Sequence, residues 1–174
     1  VKLKIAFSAN YSANSSTKVF CDYIYLETDE RRRFAQVSHE YLIEQVQHQG
    51  VSDNTTFELN FNHPVKELIW TDAYVSGDYT GNEILTGDKW QLKLNGHDRF
   101  SEREYRYFTR AQVWQHHTGF GSVTSQDGIA VYSFALKPEE HQPSGTCNFS
   151  RIDNAQLKST TTTGGNMNIY AVNY

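Results

Sequence analysis

Residues 129–157, IAVYSFALKPEEHQPSGTCNFSRIDNAQL, constrain the fold more than any other part of the chain. Residues 129–136 are apolar at nearly every position. A short run of that kind predicts a strand covered on both faces. A polar segment with two prolines follows and predicts a sharp turn. Residues 147–159 then read as a returning strand with mixed faces.

Clean alternation recurs elsewhere. Phe57, Leu59 and Phe61 alternate with Glu58, Asn60 and Asn62. Trp90, Leu92 and Leu94 alternate with Gln91, Lys93 and Asn95. Successive strand side chains point to opposite faces, so these six apolar side chains are predicted to face inward. Leu3, Ile5, Phe7 and Ala9 alternate with polar neighbours in the same way over 2–9. Residues 19–26, rich in β-branched and aromatic types, predict another strand. Two more are predicted at 65–71 and 168–174. His63-Pro64 interrupts the ladder that ends at Phe61, because proline lacks an amide donor. Asn95-Gly96 predicts a tight turn. Polar or glycine-bearing segments at 11–17, 73–88, 119–128 and 160–166 read as loops and turns.

Helical signals are few. Thr28 is a candidate N-cap, followed by Asp29 and Glu30 in the first turn, with Phe34 and Val37 on one face. That predicts a short helix at 29–38. Ser101 with Glu104 three residues on is a candidate capping box, predicting a second short helix within 101–117. Residues 41–47 fit either a continuation of the first helix to Gly50 or a strand. About nine short strands, few helices and closely spaced turns together predict an all-β antiparallel sandwich or jelly roll. The one boundary candidate is 27–39, where the β pattern gives way to a charged helical piece and then returns.

Size and composition narrow the function. A chain of 174 residues can build one domain with a real core. The net charge of −4 gives no reason to expect nucleic-acid binding. No apolar run is long enough to span a bilayer, and the N-terminus VKLKIAF lacks the features of a secretory signal. The chain lacks an initiator Met and begins within a strand pattern, so it is expected to be a piece of a longer protein. Cys21 and Cys147 are the only cysteines. They are expected to be small buried hydrophobes and define neither a zinc site nor a disulfide framework.

No catalytic or metal-binding constellation stands out, and no site residue is expected. The seven histidines are His39, His48, His63, His97, His116, His117 and His141. None forms a His-x-His pair. His116 and His117 are adjacent and would diverge on a strand, and His97-Asp98 lacks the spacing of a metal triad. There is no nucleophile elbow and no phosphate-cradling glycine loop. Glu139-Glu140 and Glu102 with Glu104 are expected on solvated faces. Arg31-Arg32-Arg33 follows Glu27, Asp29 and Glu30, so local neutralisation is expected over nucleic-acid contact. Asn10, Asn14, Asn54 and Asn148 open Asn-x-Ser/Thr sequons, with Asn54 expected to be the most accessible and Asn148 the least.

Four ordered segments resemble the major capsid proteins of nucleocytoplasmic large DNA viruses, of iridovirus-like and phycodnavirus-like type. They are residues 129–157, DYIYLETDERRRFAQVSHEYLIEQVQ at 22–47, FELNFNHPVKELIW at 57–70 and LKLNGHDRFSERE at 92–104. The resemblance implies a double jelly roll. On that plan 1–27 are the last strands of an N-terminal roll, 28–39 a connector and 40–174 the second roll, without its extreme C-terminus. It also implies a first strand of that roll near 42–47. The implied role is structural, not enzymatic. The protein would be a subunit of trimeric, pseudo-hexagonal capsomers in an icosahedral virion shell. Its partners would be itself and possible minor capsid or cement proteins, with no direct nucleic acid, no cofactor and no transmembrane segment. Loops 73–88 and 118–128 and the aromatics Tyr105, Tyr107, Phe108, Trp114 and Phe120 are candidates for outer-face or lateral contacts, set against an intradomain core. The competing reading is a lectin-like jelly roll using exposed Trp90 and Trp114 to hold sugars.

Overall fold

The computed structural model describes residues 18–52, 54–72, 89–119, 128–160 and 166–174. The expected strand at 2–9, the loops at 11–17 and 73–88, most of 118–128, the 161–165 turn, Phe120, Asn10 and Asn14 lie outside the described residues. The chain divides into two units, 1–41 and 42–174.

In the first unit the described residues 18–27 carry no strand, contrary to the expectation for 19–26. A strand pattern becomes a strand only with a hydrogen-bonding neighbour, and the described residues offer this segment none. Phe20, Ile24 and Tyr25 are 87–90% exposed. The helix α1 follows at Thr28–Gln36, with Glu27 at the N-cap in place of Thr28. Glu30 Oε2 accepts from Glu27 N at 3.2 Å, and Arg32 pairs with Asp29 at 3.4 Å. Arg32 is thus neutralised locally, as its acidic neighbours predicted.

The second unit holds nine strands among the described residues: β1 (Gln45–Val51), β2 (Thr56–Glu58), β3 (Pro64–Asp72), β4 (Lys89–Leu94), β5 (His97–Glu104), β6 (Ile129–Ser133), β7 (Cys147–Asn148), β8 (Ala155–Ser159) and β9 (Met167–Asn173). One sheet runs β1-β9-β3-β6, with β7 also pairing with β3, and the other β2-β8-β4-β5. All pairings are antiparallel. Apart from the two-residue β7, the chain winds between two four-stranded sheets as a jelly roll does.

Four expectations about elements are corrected, while the break at His63-Pro64 stands and the following strand is one residue longer at each end. The first strand starts at Gln45, not Leu42. Its glutamines bond across to the next segment: Gln49 donates to Glu58 O and accepts from Asn60 N, and Gln47 accepts from Asn62 N. Pro64 opens β3 and pairs with Asn148, where its missing amide costs nothing. Ser101 and Glu104 are not a capping box, because β5 continues through both. The helical piece starts at Tyr105 and passes through a π turn, Tyr107–Ala111, into α2, Gln112–His116. β6 ends at Ser133, with its buried positions confined to Ala130–Ser133, so residues 129–136 are only partly a doubly covered strand. Residues 147–159 are three pieces: β7, a 3₁₀ turn at Phe149–Arg151 and β8.

The core matches the alternation. Phe57, Leu59, Phe61, Trp90 and Leu92 are buried, and Leu94 is half-buried against them. Trp70 and Trp90 meet at 5.7 Å between ring centroids. Phe108, from the π turn, lies 5.1 Å from both Trp70 and Phe100. Such tilted aromatic contacts add to the gain from burial alone. Asn95 (φ 51°) and Gly96 (φ 78°) both take left-handed backbone, the geometry of the tight turn joining β4 to β5.

Candidate functional site

The segment 129–157 contributes β6 and β7 to one sheet and most of β8 to the other, with a sharp turn between β6 and β7. Gly145 sits at φ 140°, and a Cβ there would lie 2.9 Å from Phe134 O, so only glycine closes this turn. Ser144 secures it: its carbonyl accepts from Leu136 N, and its Oγ accepts from Lys137 N at 2.9 Å.

Two adjacent charged residues of β3 anchor that turn. The register of β3 on β9 shifts between Val65 and Glu67, making Lys66 the extra residue of a bulge. Its carbonyl accepts from Phe134 N and Ala135 N. Its side chain, 2% exposed, donates to Glu44 Oε1 at 2.7 Å and to Pro138 O at 2.8 Å. The Tyr174 ring lies 5.1 Å from Nζ. This hydrogen bond from Lys66 holds the Glu44 carboxyl below the usual range. His141 approaches Glu44 at 3.4 Å.

Glu67 makes the second anchor. His117 Nε2 lies 3.0 Å from Glu67 Oε2, and His117 Nδ1 lies 3.0 Å from Glu139 Oε1. The first contact is close but off the hydrogen-bonding axis, whereas the second is a hydrogen bond. Glu139 Oε2 accepts from Thr118 N and Oγ1. Burial pushes the Glu67 carboxyl up, partly offset by His117. The Thr118 hydrogen bonds hold Glu139 down. Glu139 is exposed, in keeping with the solvated face expected for it, and has fixed partners in His117 and Thr118. Sequence reading missed both anchors, because Lys66-Glu67 in a strand pattern looks like ordinary polar alternation.

The histidines do not converge. His116 Nδ1 meets Leu136 O, while His117 turns to the two carboxylates. His48 bonds Asn168 Oδ1 and stacks on Tyr170. His39 bonds Phe34 O. His63 occupies a turn at φ 69°, and His97 is exposed. Among the described residues no group of three or more His, Cys, Asp or Glu is placed to hold a metal ion. Cys21 is exposed, which corrects the buried expectation, and Cys147 is half-buried with its thiol pushed up by burial. Asn54 and Asn148 are both exposed. Asn148 lies in a strand as expected, β7, but it is exposed and caps the 3₁₀ turn by accepting from Ser150 N.

Of the candidate contact aromatics, Tyr105 and Phe108 are core and Tyr107 packs against it. Trp114 alone among the described ones is open, at 74% exposure, and Leu136 is 72% exposed. Trp90 is fully buried and cannot be a sugar platform, which removes one of the two residues behind the lectin-like reading.

Two antiparallel sheets wound as a jelly roll, with a braced turn after β6, define an all-β sandwich protein. The chain belongs to the large eukaryotic DNA virus major capsid proteins, whose family model matches residues 30–173. It is 50% identical to the major capsid protein of Pyramimonas orientalis virus over 95% of this chain and 47% of that protein. It is 40% identical to the major capsid protein of Paramecium bursaria Chlorella virus 1, over 86% of this chain and 43% of the relative. Among solved structures it superposes on the PBCV-1 virus capsid with a TM-score of 0.72 and 33% identity, covering 87% of this chain and 52% of that one. The chain thus spans about half the length of the curated relatives it matches.

Proposed function

We propose that this chain is the C-terminal jelly roll of a major capsid protein. The complete protein would carry a second, preceding roll and assemble as a homotrimer into pseudo-hexagonal capsomers of an icosahedral virion shell. The observation that carries this reading is the TM-score of 0.72 to the PBCV-1 capsid, over most of this chain and 52% of that one. On this reading residues 1–27 belong to the preceding roll and 28–39 connect the two. The exposed apolar side chains at Phe20, Ile24 and Tyr25 are then strand residues that need a neighbouring sheet.

The role is structural, with no reaction. Copies of the same protein are the principal partners, and minor capsid or cement proteins are further ones. Nucleic acid is not contacted directly. No helix among the described residues is long and apolar enough to cross a membrane. Trp114 and Leu136 are assigned to contacts between subunits, since exposed aromatics anchor protein interfaces. The test is the thermal midpoint of the full-length protein across a wide concentration range. Association stabilises the folded state by mass action, so the midpoint should rise with protomer concentration. A concentration-independent midpoint from a persistent monomer would overturn the proposal.

A further inference from the structure

His117 stands between two carboxylates, one close to each ring nitrogen. Nε2 is 3.0 Å from Glu67 Oε2 and Nδ1 is 3.0 Å from Glu139 Oε1. A neutral imidazole carries one N–H, and its other nitrogen is a lone pair. With both carboxyls ionised, a neutral ring sets that lone pair against a carboxylate oxygen. Both contacts are attractive only when the cluster holds one more proton. The three groups come from different elements: Glu67 from β3, His117 from the C-cap of α2, Glu139 from the turn at 137–141. Glu67 and His117 are largely buried, with side chains 9% and 17% exposed, so water replaces the missing proton poorly.

We propose that Glu67, His117 and Glu139 form a proton-operated clasp. It ties the end of α2 and the 137–141 turn to β3 while the imidazole carries both ring protons, and lets them go when it loses one. The surrounding charges support this. Lys66 acts on Glu67 from the same strand, but its own ammonium is taken by Glu44 and Pro138 O. His141 faces Glu44, Lys137 pairs with Glu140, and His116 bonds Leu136 O. None of these cations is given to Glu139, whose remaining partner is Thr118, an uncharged donor. Two carboxylates therefore depend on one imidazole. The clasp is closed by acid and opened by base.

The test is hydrogen exchange, corrected for base catalysis, at about pH 5 and about pH 8. The amides to follow are Thr118 N, which donates to Glu139, and His117 N, which donates to Val113 O. Protection of both should fall by about tenfold or more at the higher pH, the size of one hydrogen bond to a charged group. His117→Gln should abolish that difference. Glu67→Gln should keep the protection high at both pH values, because an amide can present either a donor or an acceptor to a neutral ring. Ring-nitrogen NMR of the unaltered protein reads the same cluster without a variant: two protonated nitrogens on His117 at about pH 5, and loss of one as protection falls. Equal protection at both pH values, or a His117→Gln variant that keeps the wild-type pH response, would overturn the clasp.

Discussion

Lys66 Nζ donates to Glu44 Oε1 at 2.7 Å from a side chain only 2% exposed, while the Glu44 side chain is 34% exposed. The two ends of this ion pair are thus unequal. Losing Glu44 strands a buried ammonium, which costs about 3 kcal/mol even with the Pro138 carbonyl still in place. Losing the charge of Lys66 strands a carboxylate that water can reach. Lys66→Met, which keeps the buried stem, should therefore stay within about 1 kcal/mol of wild type. Urea unfolding of Glu44→Ala and Lys66→Met checks the order. A larger loss for Lys66→Met would mean that the pair itself supplies the stability.

Phe108 and Phe134 are both core aromatics but differ in burial. Phe108 is fully buried against Trp70 and Phe100, so Phe108→Ala should cost about 3–5 kcal/mol. Phe134 is half-buried, edge-on to Tyr132 and Phe149. The sequence pattern placed Phe134 in a doubly covered strand, which implied the same cost. Its position just past the end of β6 lowers the expected loss to about 2 kcal/mol. Chemical denaturation of both variants gives the ranking.

How much was legible depended on what each segment's pattern reports. Alternation at 57–61 and 90–94 reports burial directly, and those side chains form the core. β5 was hidden because HDRFSERE buries only Phe100, and a charged edge strand resembles a helix start. β1 was placed three residues early because Gln45, Gln47 and Gln49 carry no β signature. Two of these glutamines act through bonds to the 58–62 segment, a tertiary fact. Residues 19–26 have strand composition, but composition describes a surface that suits a sheet and does not supply the neighbouring strand. The Lys66 and Glu67 anchors depend on a bulge, and a one-residue register shift leaves no mark in the hydrophobic pattern.

Glu67 gives a pH dependence with a definite sign. Burial raises its carboxyl above the ordinary value, so the folded state holds this proton more tightly than the unfolded chain does. The stabilisation is complete below the unfolded value, about 4.3, and is lost as pH rises through the folded value. Glu67→Gln removes that titration. Relative to wild type, the variant should gain stability from acid to neutral pH. Denaturation midpoints of the two proteins across that range test it, and a gain in the opposite direction would contradict the assignment.

Trp114 separates folding from association. At 74% exposure it adds little to the fold, and Trp114→Ser should change unfolding free energy by no more than about 0.5 kcal/mol. As an interface anchor it should weaken self-association of the full-length protein by about 2 kcal/mol, roughly thirtyfold. Unfolding and dilution experiments on the same variant report the two effects separately.

Sedimentation velocity of the full-length protein over increasing concentration tests the shell-subunit role most directly. A trimer, followed at higher concentration by capsomer arrays or shells, is the predicted result. A single monomeric species at every concentration and salt condition would contradict it.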